Sequence, residues 1–259
     1  MIKKIYNRIL EISEDSQQIT TLDGRFYRRN DEYYPSVSTI LQCYPKSSYY
    51  EDYLKRHGYN ADYIRDKAAQ EGTLVHSMIE QYLNGEEINY LDKNGNPKME
   101  PEIWKMFLHF VEFWVKYNPT LVESELLLFS DELKIAGTTD LVCEIQNGDV
   151  AERWIIDFKT SNSLHTSQEL QIEAYKKCYE ECYGIPVNRT GILWLKSSSR
   201  TEDKTGKKIK GKGWELVESD RTYEENIEIL KSVLKIFHIE NPKFKPVEDQ
   251  FVTSVKRSV

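Results

Sequence analysis

The 259 residues carry 35 Lys and Arg against 42 Asp and Glu, a formal net charge of −7, with 39% hydrophobic and 30% charged positions. This is the composition of a soluble globular protein, long enough to bury a sizeable core. It excludes a helical membrane span, since no stretch approaches the roughly 20 apolar residues required. It also excludes a disulfide framework, because Cys43, Cys143, Cys178 and Cys182 form no such pattern. The acidic balance does not exclude nucleic acid, whose binding needs only a local basic surface.

Residues 1–8 show no apolar core and no cleavage site, so export is not expected and a cytoplasmic protein, bacterial or phage-encoded, is. Residues 1–32 read as a small β-rich lead-in with Asp23-Gly24 as a turn. Helical pattern dominates 48–117, interrupted by the polar loop 92–97. Tyr49, Tyr50, Tyr53, Tyr59 and Tyr63 open this region, and packing within a helical subdomain is the expectation, with stacking on single-stranded bases as the alternative. Ile64, Ala68, Val75, Ile79 and Leu83 keep helical spacing around Gly72. A glycine costs a helix about 1 kcal/mol relative to alanine, so this one marks a close approach of a strand or of nucleic acid. Ile103, Phe107, Phe110, Trp114 and Tyr117 form a second stripe that ends at Asn118-Pro119.

Strands are predicted at about 121–129, 133–145 and 153–160. A helix follows to about 183, opened by Thr166 and Glu169 as a capping box. A strand at 190–196 has a hairpin partner at 214–218, across a segment rich in Ser, Gly and cations. A last helix at 223–238 precedes a tail from Asn241 that reads as loosely packed. We expect one domain over 1–259, with the lead-in and helical subdomain to about 120, a core over 121–240 and the tail over 241–259.

Asn147-Gly148-Asp149 signals a tight hairpin between two of these strands. A two-residue loop there makes the numbers of paired residues sum to 297, which sets Asp140 opposite Asp157 at about 4.5–5.5 Å between Cβ atoms. Lys159 shares a face with Asp157, because strand side chains alternate. Two carboxylates this close repel unless a cation lies between them, and the lysine can serve an anion the cation holds. This is a metal site suited to phosphate chemistry, with Asp140 and Asp157 as hard oxygen ligands for Mg²⁺ or Mn²⁺.

Gly137-x-x-Asp140, Asp157-x-Lys159 and Gln171-x-x-x-Tyr175 together resemble the PD-(D/E)XK nuclease superfamily. The likeness is greatest to its RecB-like exonuclease branch, which includes the CRISPR-adaptation and mitochondrial genome-maintenance exonucleases. Gly72-Thr73-x-x-His76 and the run Pro-Ser-Val-Ser-Thr-Ile-Leu at 35–41 extend the resemblance over about 33–195. It implies an α/β, restriction-endonuclease-like fold: a mixed central sheet flanked by helices, with an N-terminal helical subdomain over the cleft.

It further implies His76 as a third metal ligand with Glu80 behind its other ring nitrogen, and Glu123 as a supporting acid, with Glu125 ranked below it. Lys159, Asp157, Asp140, Gln171 and Tyr175 would form the catalytic group. Lys207, Lys208, Lys210 and Lys212 would be a DNA-backbone clamp, a solvated hairpin tip being the alternative. The cysteine positions depart from the iron–sulfur pattern of some relatives, so no cluster is expected. The implied activity is exonucleolytic hydrolysis of DNA, single-stranded or with free ends, in recombination, repair or replication, with a protein partner from those processes. The alternatives are a structure-specific or restriction-like endonuclease and a non-catalytic DNA-binding protein.

Overall fold

The structure, a computed structural model, describes residues 2–6, 9–12, 18–21, 24–196, 213–246, 248–252 and 255–256. The lead-in supplies β1 (Ile2–Tyr6), β2 (Ile9–Ile12), β3 (Gln18–Thr21), β4 (Gly24–Arg29) and β5 (Glu32–Pro35). A short α1 (Val37–Ile40) follows, capped by the Ser36 hydroxyl, which accepts the Thr39 N–H at 3.1 Å. Then come α2 (Ser48–His57), α3 (Asn60–Leu83) and α4 (Pro101–Tyr117). The centre of the chain forms β6 (Thr120–Ser130), β7 (Ile135–Asn147), β8 (Val150–Lys159), α5 (Thr166–Tyr183) and β9 (Arg189–Leu195). β10 (Trp214–Val217), α6 (Tyr223–Glu240) and β11 (Glu248–Val252) complete it.

Five strands form the central sheet in the order β10-β9-β8-β7-β6. Hairpins join β6 to β7 and β7 to β8, while β8 and β9 run parallel with α5 as the crossover. That one parallel pair makes the sheet mixed and forces a helix onto one face. Alternation along β7 and β8 feeds two cores. Val142 and Ile155 face α1, α5 and α6, whereas Leu141, Cys143, Trp154, Ile156 and Phe158 face α3 and α4. Phe110 and Phe113 of α4 are fully buried in the second core, where each side chain contributes about 1.5–3 kcal/mol. β2–β5 form a separate antiparallel sheet, docked through Tyr27 and Tyr34 on Phe129.

Four details differ from expectation. Only the C-terminal half of the α3 stripe is buried: Val75 and Ile79 are inside, but Ile64 and Ala68 are exposed. Tyr49, Tyr50, Tyr59 and Tyr63 are likewise exposed rather than packed, and α2 buries none of its residues. The α5 cap lies one residue early: Gln168 Oε1 accepts the His165 N–H at 2.9 Å, which leaves Glu169 to bind Ser219 and Arg221. Described residues of the tail make specific contacts. Phe244 stacks on Phe26 at 4.6 Å and meets Phe237 edge-on at 5.0 Å, and β11 pairs with β1. Lys207, Lys208, Lys210 and Lys212 lie outside the described residues. No helix among the described residues is long and apolar enough to cross a membrane.

Candidate active site

The β7–β8 ladder has the expected register, with pairs running from Asn147↔Val150 to Leu141↔Ile156. It stops one pair short of Asp140 and Asp157. There the Asp140 Oδ2 accepts the Phe158 N–H at 2.6 Å, so a carboxylate replaces the backbone partner and the strands part. On the other side of β7, the pairs Ser124↔Leu141 and Leu126↔Thr139 set Glu125 across from Asp140. Glu125 has φ of 49°, a left-handed conformation that costs a non-glycine residue about 1–2 kcal/mol. Glu125, Asp140 and Asp157 therefore occupy neighbouring positions on three adjacent strands.

α3 passes over this opening. A Cβ on Gly72 would stand 3.0 Å from Thr160 Oγ1, so the glycine lets the helix approach the end of β8. One turn further along α3, His76 Nδ1 lies 3.4 Å from Asp140 Oδ1, and the ring meets Phe158 edge-on at 5.6 Å. One ligand atom each from His76, Glu125 and Asp140 falls within 4.8 Å of the others. Asp157 instead faces Lys159, with Oδ2 2.6 Å from Nζ. The Lys159 ammonium donates to Gln171 Oε1 at 3.1 Å, and Gln171 Nε2 donates to the Tyr175 hydroxyl at 2.8 Å. Gln171 and Tyr175 are one turn apart on α5, as this relay needs. The Tyr175 ring rests on Gly137, where an added Cβ would lie 2.5 Å from Cε1.

The family model of the PD-(D/E)XK nuclease superfamily matches residues 36–250. The chain belongs to this superfamily. As a PD-(D/E)XK nuclease it has the restriction-endonuclease-like arrangement of a mixed five-stranded sheet flanked by helices. The solved structure of SSO0001 is 12% identical, covering 77% of this chain and 84% of its own, with a TM-score of 0.27 that carries no argument. No curated protein matches the chain significantly.

One supporting residue, Glu123, is placed differently from expectation in this nuclease. Glu123 is exposed beside a register shift in β6 and stands outside the cluster; Glu125 is the acid that joins it. A usable signal was present: a four-residue connection at 131–134 puts position 125 opposite 140. Glu80 lines the same cleft, one turn beyond His76 on α3, while the imidazole turns its Nδ1 to Asp140.

The donor set fits a hard divalent cation, since carboxylates and one imidazole converge beside the buried Asp157 carboxylate. Without a cation the cluster holds protons. Burial alone would lower the His76 pKa, but the charge and hydrogen bond of Asp140, helped by Asp157 and Glu125, raise it to about 9. Glu125 keeps an exposed surface, yet desolvation inside the cleft and the Asp140 charge push it up to about 7. Burial also opposes the charged form of Lys159, yet Asp157 and Asp140 outweigh it and hold the ammonium above its usual range.

A ligating imidazole must be neutral, so a cation entering below pH 9 has to expel the His76 proton, and some of Glu125's near pH 7. Cation affinity should therefore rise with pH between about 6 and 9. Calorimetry at pH 7.5, in buffers of different ionisation enthalpy, should show about one proton released per Mn²⁺. A binding heat independent of buffer would remove His76 from the ligands.

Proposed function

We propose that this nuclease is a divalent-metal-dependent DNA exonuclease that hydrolyses phosphodiesters from free, single-stranded or resected ends. The observation that carries the reading is the convergence of His76 from α3 with Glu125 and Asp140 from the sheet, beside the Asp157–Lys159 pair. His76, Glu125, Asp140 and Asp157 would hold Mg²⁺ or Mn²⁺. When bound, the cation supplies Lewis acidity toward a phosphoryl oxygen and lowers the pKa of water.

The protein's own groups do the rest. Lys159 presents an ammonium that stays charged at neutral pH and donates toward the phosphate as negative charge grows on it. Gln171 restricts that ammonium to one direction, and the buried Tyr175 restricts Gln171. Asp157 keeps the lysine close to the other acids and shares its charge.

The position of α3 supports the preference for ends. The same helix that supplies His76 crosses the opened strand ends, with Gly72 against Thr160, so a strand enters more readily by threading than laterally. With one preparation and one metal, end-labelled linear single-stranded DNA should be degraded progressively while closed single-stranded circles resist. Equal cleavage of both would make the protein an endonuclease with laterally accessible strand ends.

A further inference from the structure

The cleft that holds the acids and Lys159 continues along α2 and the N-terminal half of α3, with a volume of about 1330 Å³. This exceeds the roughly 300–1,000 Å³ of a typical small-molecule pocket and suits a polymer. Tyr49, Tyr50, Tyr53 and Tyr63 line this extension. Tyr49 is 80% and Tyr63 72% exposed, Tyr50 and Tyr53 are stacked at 6.5 Å, and the Tyr53 hydroxyl donates to Ala61 O at 2.8 Å, tying α2 to α3. Single exposed apolar residues are ordinary. Four aromatic rings on one wall of the cleft that contains the catalytic strand ends are not.

Among the described residues this stretch has no unbalanced cationic track. On α2, Lys55 and Arg56 are matched in number by Glu51 and Asp52, with Lys55 4.0 Å from Asp52; on α3, Arg65 is paired with Asp62 and Asp66, and Lys67 with Glu71 and Glu100. Phosphate attraction therefore cannot be its main contribution, and ring faces are what it offers.

We propose that this wall stacks the unpaired bases of a DNA single strand on its way to the active site. The inference rests on the nuclease reading and deepens it. Stacking on aromatic side chains tolerates every base and requires base faces that a duplex hides. Tyr63 precedes His76 by 13 residues, about 20 Å along the helix. At the ~3.4 Å per nucleotide of duplex DNA, that places the stacked bases about six nucleotides from the scissile bond, and fewer if the strand is stretched. The wall would thus grip the substrate without touching the reacting phosphate.

Fluorescence anisotropy with a labelled oligothymidylate in Ca²⁺ reads binding whether or not the protein cleaves. The double variant Tyr49→Ala/Tyr63→Ala should weaken binding about 25-fold or more, at about fivefold or more for each stack lost. The slope of log affinity against log salt should not change, because stacking releases no counterions. Tyr49→Phe/Tyr63→Phe should bind like the wild type. So should Tyr59→Ala, which removes an equally exposed ring that does not line the cleft. Blunt duplex should bind the double-alanine variant and the wild type alike.

Unchanged single-strand affinity in the double-alanine variant would overturn the proposal. A flattened salt slope would overturn it in favour of phosphate contacts. A shift in sedimentation with no change in DNA affinity would assign the wall to a second copy of the chain. Wild-type protein that binds single strands through these tyrosines but cleaves no DNA with Mg²⁺ or Mn²⁺ would leave the wall standing and refute the catalytic reading.

Discussion

Lys159→Ala should lower kcat/KM on end-labelled DNA by at least about 10²–10³-fold, the cost of removing one preorganised donor from a developing oxyanion. The effect should be larger still if the acids lose cation affinity. Lys159 stands between Asp157 and Gln171, and with His76, which lies against Asp140, it is one of two positive groups that offset the acids. Removing it leaves three carboxylates on adjacent strands with only His76 to offset them. Those acids can respond by taking up protons, so the fold should survive, and circular dichroism melting should remain cooperative. Lys159→Arg should not rescue, because a planar guanidinium cannot replace a compact ammonium between Asp157 and Gln171. Wild-type turnover by a folded Lys159→Ala protein would place the lysine outside the chemistry.

Gly137→Ala should damage stability and turnover together. The new methyl would stand 2.5 Å from Tyr175 Cε1, well inside contact distance, and the ring is buried with little room to retreat. Overpacking of this kind costs about 1–3 kcal/mol. The displaced tyrosine would take Gln171 with it, and Gln171 sets the direction of Lys159. Urea unfolding should show the stability loss, and kcat should fall about tenfold or more under conditions where the variant is fully folded. Unchanged stability and kcat would mean that the Tyr175–Gln171–Lys159 relay does not position the catalytic group.

The parts of this site that were readable in the sequence are those fixed by local rules. The Gly148 hairpin determines the β7–β8 register, and with it the facing of Asp140 and Asp157. One helical turn determines the pairing of Gln171 with Tyr175. Gly72 announced a close approach, which proved to be Thr160.

What was missed depends on geometry that spacing does not encode. Glu125 enters the cluster through a four-residue turn, in a left-handed conformation that no strand pattern predicts for glutamate, while Glu123 looked equivalent by alternation. The tyrosines were assigned to packing within the helical subdomain. Spacing cannot say whether a helix face has anything to pack against, and α2 has almost nothing. In the tail, the described contacts are the Phe244 ring on Phe26 and Phe237 and the backbone pairing of β11 with β1, neither of which needs a hydrophobic period.

The central claim is a divalent cation held by His76, Glu125, Asp140 and Asp157 beside Lys159. Crystals grown or soaked with Mn²⁺ and measured near the manganese absorption edge test it without reference to activity. The account predicts an anomalous peak among those four side chains, with oxygen ligands from Glu125 and Asp140, a nitrogen from His76, and Glu123 uninvolved. An ordered site with no anomalous peak at saturating Mn²⁺, or a peak ligated by Glu123 or Glu80 with Glu125 turned away, would contradict it.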